Sequence, residues 1–164
     1  MELFELADRW LHFGAGVLWI GLLYFFNWVN SAFVPTMDAE TKKKVIPELI
    51  PRCLFWFRWG AMGTIVTGLL LAWMSGYVID AVALGLSDGV PKHTAIGIGM
   101  WLGAIMWFNV GFIIWPNQKK ALGIVEADAD TKAASARTAM LFSRTNTLLS
   151  IPMLFAMVSA QNIY

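Results

Sequence analysis

Four long apolar stretches dominate the sequence and constrain the fold more than any other feature. They run from about Trp10 to Val34, Leu54 to Val78, Thr94 to Trp115 and Ala139 to Ala160. Each has roughly 20 or more residues, which is enough for a helix to span the hydrocarbon core of a bilayer. All 11 acidic residues lie outside these stretches, as expected because a bare charge is costly at the centre of a bilayer. The sequence therefore predicts an integral membrane protein that crosses the bilayer four times.

Composition supports the same class of protein. The chain is 58% hydrophobic and only 14% charged, whereas soluble domains have about 25% charged residues. Isolated strands cannot satisfy their backbone in lipid, so the stretches are predicted to be helices. We expect one transmembrane domain over residues 1–164, an all-α four-helix bundle. Its predicted helices cover about 8–34, 54–78, 94–116 and 139–160, and no convincing internal sequence repeat is visible.

Charge and cysteine content exclude several classes of site. The net charge is +1, which gives no electrostatic basis for a nucleic-acid partner. A single cysteine, Cys53, excludes an internal disulfide, a c-type haem attachment motif and a cysteine-cage metal site.

The basic residues predict the orientation in the membrane. Eight of them lie in the loops 35–53 and 117–138: Lys42, Lys43, Lys44, Arg52, Lys119, Lys120, Lys132 and Arg137. Only Arg9 and Lys92 lie on the opposite side. The positive-inside rule therefore predicts that both loops are cytoplasmic and that both termini face the periplasm or exterior. We expect a multi-pass protein of a bacterial inner membrane, with the lipid bilayer as its surroundings.

The two histidines of the chain are candidate metal ligands. His12 lies near the start of the first predicted helix and His93 at the start of the third. These helices run in the same direction, so the imidazoles are expected at similar depth. Two such imidazoles can supply both axial ligands of a b-type haem. The alternative is that they only hydrogen-bond headgroups or water at the interface.

A second polar layer is predicted near the cytoplasmic ends of the helices. Its candidate cofactor-binding residues are Arg58, Asn109, Arg144 and Asn146, with Asn27 and Asn30 nearby. Arginines beside amides suit an anion such as a haem propionate or a phospholipid headgroup. The alternative is that the arginines extend to the interface while the asparagines hydrogen-bond between helices.

Four sequence segments together resemble one family. They are LHFGAGVLWIG, LFWFRWGAMGTIVTGLLL, WFNVGFIIWPNQKK and SRTNTLLSIPMLFAMV. They are similar to the membrane domain at the N-terminus of bacterial membrane-bound urate hydroxylases. The resemblance covers nearly the whole chain. The positions that match the family are His12, Trp19, Arg58, Trp59, Asn109, Trp115, Asn117, Arg144 and Asn146.

The resemblance implies a membrane module that works beside an electron-transfer partner. The complete urate hydroxylases that it resembles have a longer membrane domain fused to a c-type cytochrome. The present sequence has no CxxCH motif, so urate chemistry does not follow directly from the likeness.

Three functions are consistent with these features. The first is a membrane subunit associated with electron transfer, which binds b-type haem and acts with a c-type cytochrome or other membrane subunits. The second is an accessory structural subunit of a larger membrane complex, since glycine- and tryptophan-rich faces pack well against other helices. The third is a urate-hydroxylase-like oxidoreductase module, which rests on the resemblance alone.

Overall fold

The computed structural model describes residues 2–164, and every regular element among them is a helix. Four helices are long, namely α1 Glu2–Thr36, α2 Ala39–Met74, α4 Pro91–Ala121 and α5 Ala129–Asn162. A short helix, α3, covers Val78–Val82 between α2 and α4. Each of the four long helices is long and apolar enough to cross a membrane. The predicted all-α class with four transmembrane helices is confirmed.

The helices extend further than the apolar stretches that predict them. The segment 35–53, predicted as a loop, is helical from Ala39 onward because α2 begins there. Likewise α5 begins at Ala129, within the predicted loop 117–138. An apolar stretch marks only the part of a helix that lies in hydrocarbon, whereas the ends of the helix are set by its capping residues.

Two aspartates cap the helices that return through the bundle. The side chain of Asp38 accepts hydrogen bonds from the backbone N–H groups of Glu40 and Thr41, both at 2.9 Å. Asp128 accepts the N–H of Thr131 at 2.8 Å and its hydroxyl at 2.7 Å. The hydroxyl of Thr41 also donates to Asp38 at 2.6 Å, and this bond is the main cause of the lowered pKa of Asp38, with the backbone hydrogen bonds next. The hydrogen bonds from Thr131 lower the pKa of Asp128 in the same way.

The long helices pair into two antiparallel hairpins. Hairpin A consists of α1 and α2, and hairpin B of α4 and α5. Gly60 permits a close approach of the two backbones in hairpin A, because a Cβ atom there would lie 3.1 Å from the backbone nitrogen of Trp19. The core between the hairpins is formed by large side chains with at most 2% exposure: Trp19, Leu23, Phe57, Met106 and Val110.

Two short π-helical segments interrupt the first helix of each hairpin. They are Phe25–Asn30 in α1 and Asn109–Ile114 in α4. Asn27 of the first segment donates to the Ser143 hydroxyl of α5 at 2.8 Å. Asn109 of the second donates to Asn146 of α5 at 2.8 Å. Each π segment thus supplies an amide to the same helix, α5. Such segments frequently occur at functional sites.

Much of the outer surface is apolar. Phe13, Trp28, Val66 and Phe155 are all more than half exposed. A surface of this kind is unfavourable in water and suits contact with lipid. The fold therefore fits a multi-pass membrane protein, whereas the cytoplasmic placement of the basic loops stays a prediction.

Candidate functional site

A cavity of about 800 Å³ lies between hairpins A and B, within the range of about 300–1,000 Å³ that is common for ligand sites. All four long helices contribute to its wall, which is mainly apolar. The polar members of the wall include Arg9, Gln161 and Asn162 near one end, with His12, Thr64 and Tyr24 farther along the helices. Since Arg9 lies near the start of the chain and Gln161 near its close, we name this the terminal end of the cavity.

His12 has a fixed hydrogen-bonding arrangement in this wall. The hydroxyl of Thr67 donates to the backbone carbonyl of Gly63 at 2.6 Å. The oxygen of Thr67 therefore accepts at its other contact, which is Nδ1 of His12 at 3.1 Å. A proton on Nδ1 leaves Nε2 of the neutral imidazole with a free lone pair. This is the tautomer that binds a metal through Nε2, with Thr67 orienting the ring.

Gly68 makes room for the His12 ring. A Cβ atom at residue 68 would lie 2.8 Å from Cε1 of His12 and 3.2 Å from Nδ1. A residue larger than glycine at position 68 would displace the imidazole. The Thr67–Gly68 pair is thus the surface of α2 that holds His12 in place.

Two buried polar atoms near His12 have no partner among the described residues. Trp19 lines the cavity and is only 1% exposed, yet its indole Nε1–H has no acceptor. Asp8, one helical turn before His12, is 5% exposed and its Oδ2 is also unpaired. A buried N–H without an acceptor costs free energy. The Trp19 donor is therefore suited to an acceptor on a bound molecule.

Methionines of hairpin B also line the cavity. Met100 of α4 and Met153 and Met157 of α5 all line the cavity. The side chain of Met157 lies against Gly99, where a Cβ atom would be 3.0 Å from Cγ and 3.1 Å from Sδ. Thioether sulfurs are soft ligands and can bind haem iron.

His93 occupies different surroundings from His12. Its Nδ1 pairs with the carboxylate of Asp88, and its ring stacks on Tyr77 at a centroid distance of 5.7 Å. Asp80 completes a group of three side chains whose potential ligand atoms lie within 4.8 Å of one another. Hydrogen bonds, first from the backbone N–H of Val90, lower the pKa of Asp88. His93 does not line the described cavity, so the structure does not bring the two imidazoles together there, and their ligation of haem stays a prediction.

The predicted amides of the other layer bind each other. Asn109 donates to Asn146 at 2.8 Å, and Asn146 donates to the backbone carbonyl of Met106 at 2.9 Å. The two residues are 6% and 0% exposed. This pairing matches the alternative reading in which asparagines hydrogen-bond between helices. Neither amide lines the cavity.

Neither of the two predicted arginines lines the cavity. The guanidinium of Arg58 stacks over the ring of Trp115, 3.5 Å from its centroid, and its Nε donates to the carbonyl of Leu54 at 3.2 Å. Arg144 is exposed on α5. Stacking on an aromatic face is a common arrangement for Arg and needs no anion. The structure therefore gives Arg58 an aromatic partner, and an anion site shared with Arg144 stays a prediction.

Comparison with known proteins gives one family. Residues 90–163 match a family model described as urate oxidase N-terminal. The matched residues are somewhat less than half of the chain, and the likeness to this family is a statement about that part alone. No curated protein and no solved structure gives a match.

The urate oxidase N-terminal match covers hairpin B. It includes four candidate residues predicted from the sequence: His93, Asn109, Arg144 and Asn146. His12 and Arg58 lie in hairpin A, outside the matched residues. The cavity lies between the hairpins, so its wall combines matched and unmatched parts of the chain.

Several side chains at the cavity are absent from the sequence-based prediction. Asp8 had a usable signal, because a residue four positions before His12 lies on the same helical face. Thr67 and Gly68 had none, since a Thr–Gly pair in an apolar helix is common packing. Met157 is one of nine methionines, and only the fold places it in the cavity wall.

Proposed function

We propose that the protein is a membrane subunit associated with electron transfer and that it binds a b-type haem in the cavity between hairpins A and B. His12 is the residue of hairpin A that would hold the haem iron. The observation that carries this proposal is the position of His12 in the cavity wall, with Nδ1 hydrogen-bonded to Thr67.

The residues of the cavity fit a haem. The volume of about 800 Å³ suits a large planar group, and Gly16, Gly21 and Gly103 leave flat surfaces in the wall. The unpaired N–H of Trp19 suits an acceptor atom on a bound molecule. Arg9 at the terminal end supplies a cation for the propionates of a haem. Arg9 therefore replaces Arg58 and Arg144 as the proposed propionate partner.

Each residue has a distinct role in the proposed site. A haem bound there would accept and release single electrons. Thr67 and Gly68 orient the imidazole of His12, and the apolar wall excludes water, which influences the redox potential. Arg9, which pairs with Glu5 at 2.9 Å, would bind the negatively charged propionates at the terminal end.

The proposed partners are those that the sequence suggests. A c-type cytochrome or other membrane subunits would exchange electrons with the bound group. The proposed location is the inner membrane of a bacterium, with the termini and the cavity's terminal end on the periplasmic side.

A visible absorption spectrum of the protein, purified in mild detergent from haem-replete cells, tests the proposal. We expect a Soret band and a reduced-minus-oxidised spectrum typical of b-type haem. His12→Ala should lose the bound haem, whereas His93→Ala should retain it because His93 lies outside the cavity wall. Well-folded wild-type protein without a Soret band would refute the proposal.

A urate-hydroxylase-like oxidoreductase module is the second candidate, and the family match over residues 90–163 favours it. In this role the bound group would pass electrons from the oxidised purine to an external acceptor. Membranes that contain the protein should then oxidise urate when a c-type cytochrome is added as acceptor, and His12→Ala membranes should not. Equal turnover in both preparations would exclude His12 from that activity.

A further inference from the structure

The connection between α3 and α4 brings together three side chains that can bind a metal ion. Asp80 lies in α3, Asp88 in the loop that follows, and His93 in the first turn of α4. One potential ligand atom from each lies within 4.8 Å of the other two. None of the three lines the cavity between the hairpins, so the group is a separate candidate site.

The donor atoms of this group are of two kinds, an imidazole nitrogen and carboxylate oxygens. Carboxylates without a nitrogen ligand suit Ca²⁺ or Mg²⁺, which prefer oxygen. An imidazole beside carboxylates suits a transition-metal ion such as Zn²⁺. The chain has only two histidines, and one of them lies where two aspartates from different segments converge.

Contacts with neighbouring residues hold the potential ligands in place. The hydroxyl of Ser87 donates to Oδ1 of Asp80 at 2.7 Å, and the backbone N–H of Val90 donates to Oδ1 of Asp88 at 3.1 Å. Tyr77 stacks on the imidazole ring at a centroid distance of 5.7 Å. Contacts of this kind orient the ligands in metal sites. Each carboxylate is thus fixed through one oxygen, and the other oxygen lies toward the group.

The negative charge of the group is only partly compensated. Among residues 2–164, no lysine or arginine forms an ion pair with Asp80 or Asp88, and His93 is the partner of Asp88. The side chains of His93 and Asp88 are only 20% and 27% exposed, so solvent screens them incompletely. One imidazolium offsets one of the two carboxylates. A divalent cation would offset both and would replace the proton between His93 and Asp88.

We propose that Asp80, Asp88 and His93 bind a divalent transition-metal ion, with Zn²⁺ as the best fit, and that water completes its coordination. Ligands of a tetrahedral Zn²⁺ at about 2.0–2.2 Å lie about 3.3–3.6 Å from one another, so the three atoms would draw together by at most about 1.5 Å. The ion would tie α3 to the start of α4, at the connection between hairpins A and B. This site is independent of haem binding.

A zinc titration of the full chain tests the proposal. The protein is purified in mild detergent without a histidine tag, stripped with a chelator and titrated with zinc chloride in a calorimeter. The wild type should bind one Zn²⁺ per chain at a single strong site. Asp80→Asn, Asp88→Asn and His93→Ala should each weaken this binding by about tenfold or more. Two controls should bind as the wild type does: Asp130→Asn, which changes an exposed carboxylate of α5, and Cys53→Ala, which removes the only thiol.

X-ray absorption spectroscopy of the zinc-loaded wild type gives a second test that does not depend on any variant folding. The spectrum should show oxygen and nitrogen ligands with the scattering of one imidazole and no sulfur. The absence of a stoichiometric site, equal affinity in all three ligand variants, or a spectrum without imidazole would overturn the proposal. Displacement of Zn²⁺ by equimolar Ca²⁺ or Mg²⁺ would overturn it as well. Each of these results leaves the Soret band, and thus the haem proposal, unaffected.

Discussion

Gly68→Ala is the substitution that most directly tests the position of the His12 ring. The new Cβ atom would lie 2.8 Å from Cε1 of His12, whereas carbon atoms in contact lie about 3.5–4.0 Å apart. The ring must therefore move by about 0.7 Å or more. Its hydrogen bond to Thr67 is already 3.1 Å long, so such a movement takes it past the usual limit of about 3.2 Å.

The expected cost is that of one hydrogen bond. The Thr67 hydroxyl still donates to Gly63, so only the Nδ1–H of His12 loses its partner, which costs about 1 kcal/mol. Replacing Gly by Ala also stabilises a helix by up to about 1 kcal/mol, and a matched control is needed to cancel this gain. Gly21→Ala supplies it, because Gly21 lines the same cavity and its Cβ would meet nothing within 4 Å.

The assay compares the free energy of unfolding of the two alanine variants in mixed micelles of mild detergent and sodium dodecyl sulfate. Gly68→Ala should be less stable than Gly21→Ala by about 1 kcal/mol. If haem is bound, the same displacement of His12 should weaken haem retention in Gly68→Ala alone. Equal stability of the two variants would mean that the imidazole does not lie against Gly68, and the proposed ligand geometry would fail with it.

Three further predictions concern the rest of the bundle. Gly97→Ala would place Cβ against the backbone carbonyl of Ala81. Because backbone cannot rotate away as a side chain does, we expect the free energy of unfolding to fall by about 1–3 kcal/mol. Wild-type stability of this variant would contradict the packing of α3 on α4. Leucine substitutions of Asn109 and Asn146 should show a coupling of about 0.5–2 kcal/mol in a double-mutant cycle of unfolding free energies, whereas additive effects would contradict their hydrogen bond. Hydrogen bonds from Thr131 lower the pKa of Asp128, so its charge adds stability that is present above the unfolded value of about 3.9 and is lost as pH falls through the lower folded value. In Asp128→Asn, stability should therefore fall less between about pH 4 and pH 2 than in the wild type, and an unchanged acid profile would contradict the cap.

The sequence predicts the membrane helices well because their signal is local. Each helix must bury about 20 apolar residues in hydrocarbon, and any acidic residue within that length is costly, so composition along the chain is sufficient. Composition does not predict the capping aspartates. Asp38 and Asp128 lie in polar segments that read as loops, and only their contacts with Thr41 and Thr131 reveal that the helices begin there.

The candidate site is less accessible to sequence reasoning because it depends on contacts between distant helices. The parallel direction of the first and third predicted helices places His12 and His93 at similar depth, but depth alone does not fix the direction in which a side chain points. His12 turns toward Thr67 of its own hairpin. His93 lies at the first turn of α4, where Asp88 and Tyr77 bind it. Rotation about the helix axis is set by packing, which a single sequence does not contain.

The structure also exposes a relation between the hairpins that the sequence conceals. Each returning helix begins with the same kind of segment, DAETK at 38–42 and DADTK at 128–132. In both, the aspartate caps the helix through the threonine three positions later. Each preceding helix contains a Phe–Asn pair within or at the edge of a π segment, at 26–27 and 108–109. These two local features occur in the same order in hairpins A and B.

The cavity lies between the two hairpins and depends on both of them. Membrane folds built from repeats commonly bind their ligands at the interface between the repeats, and the cavity occupies that interface. Neither hairpin encloses it alone, since His12 comes from α1 while Met157 comes from α5. The family match over residues 90–163 covers only the methionine side. Hairpin B without hairpin A should therefore fail to hold a haem even if it inserts into the membrane, and two hairpins expressed as separate chains should bind it only when they are present together.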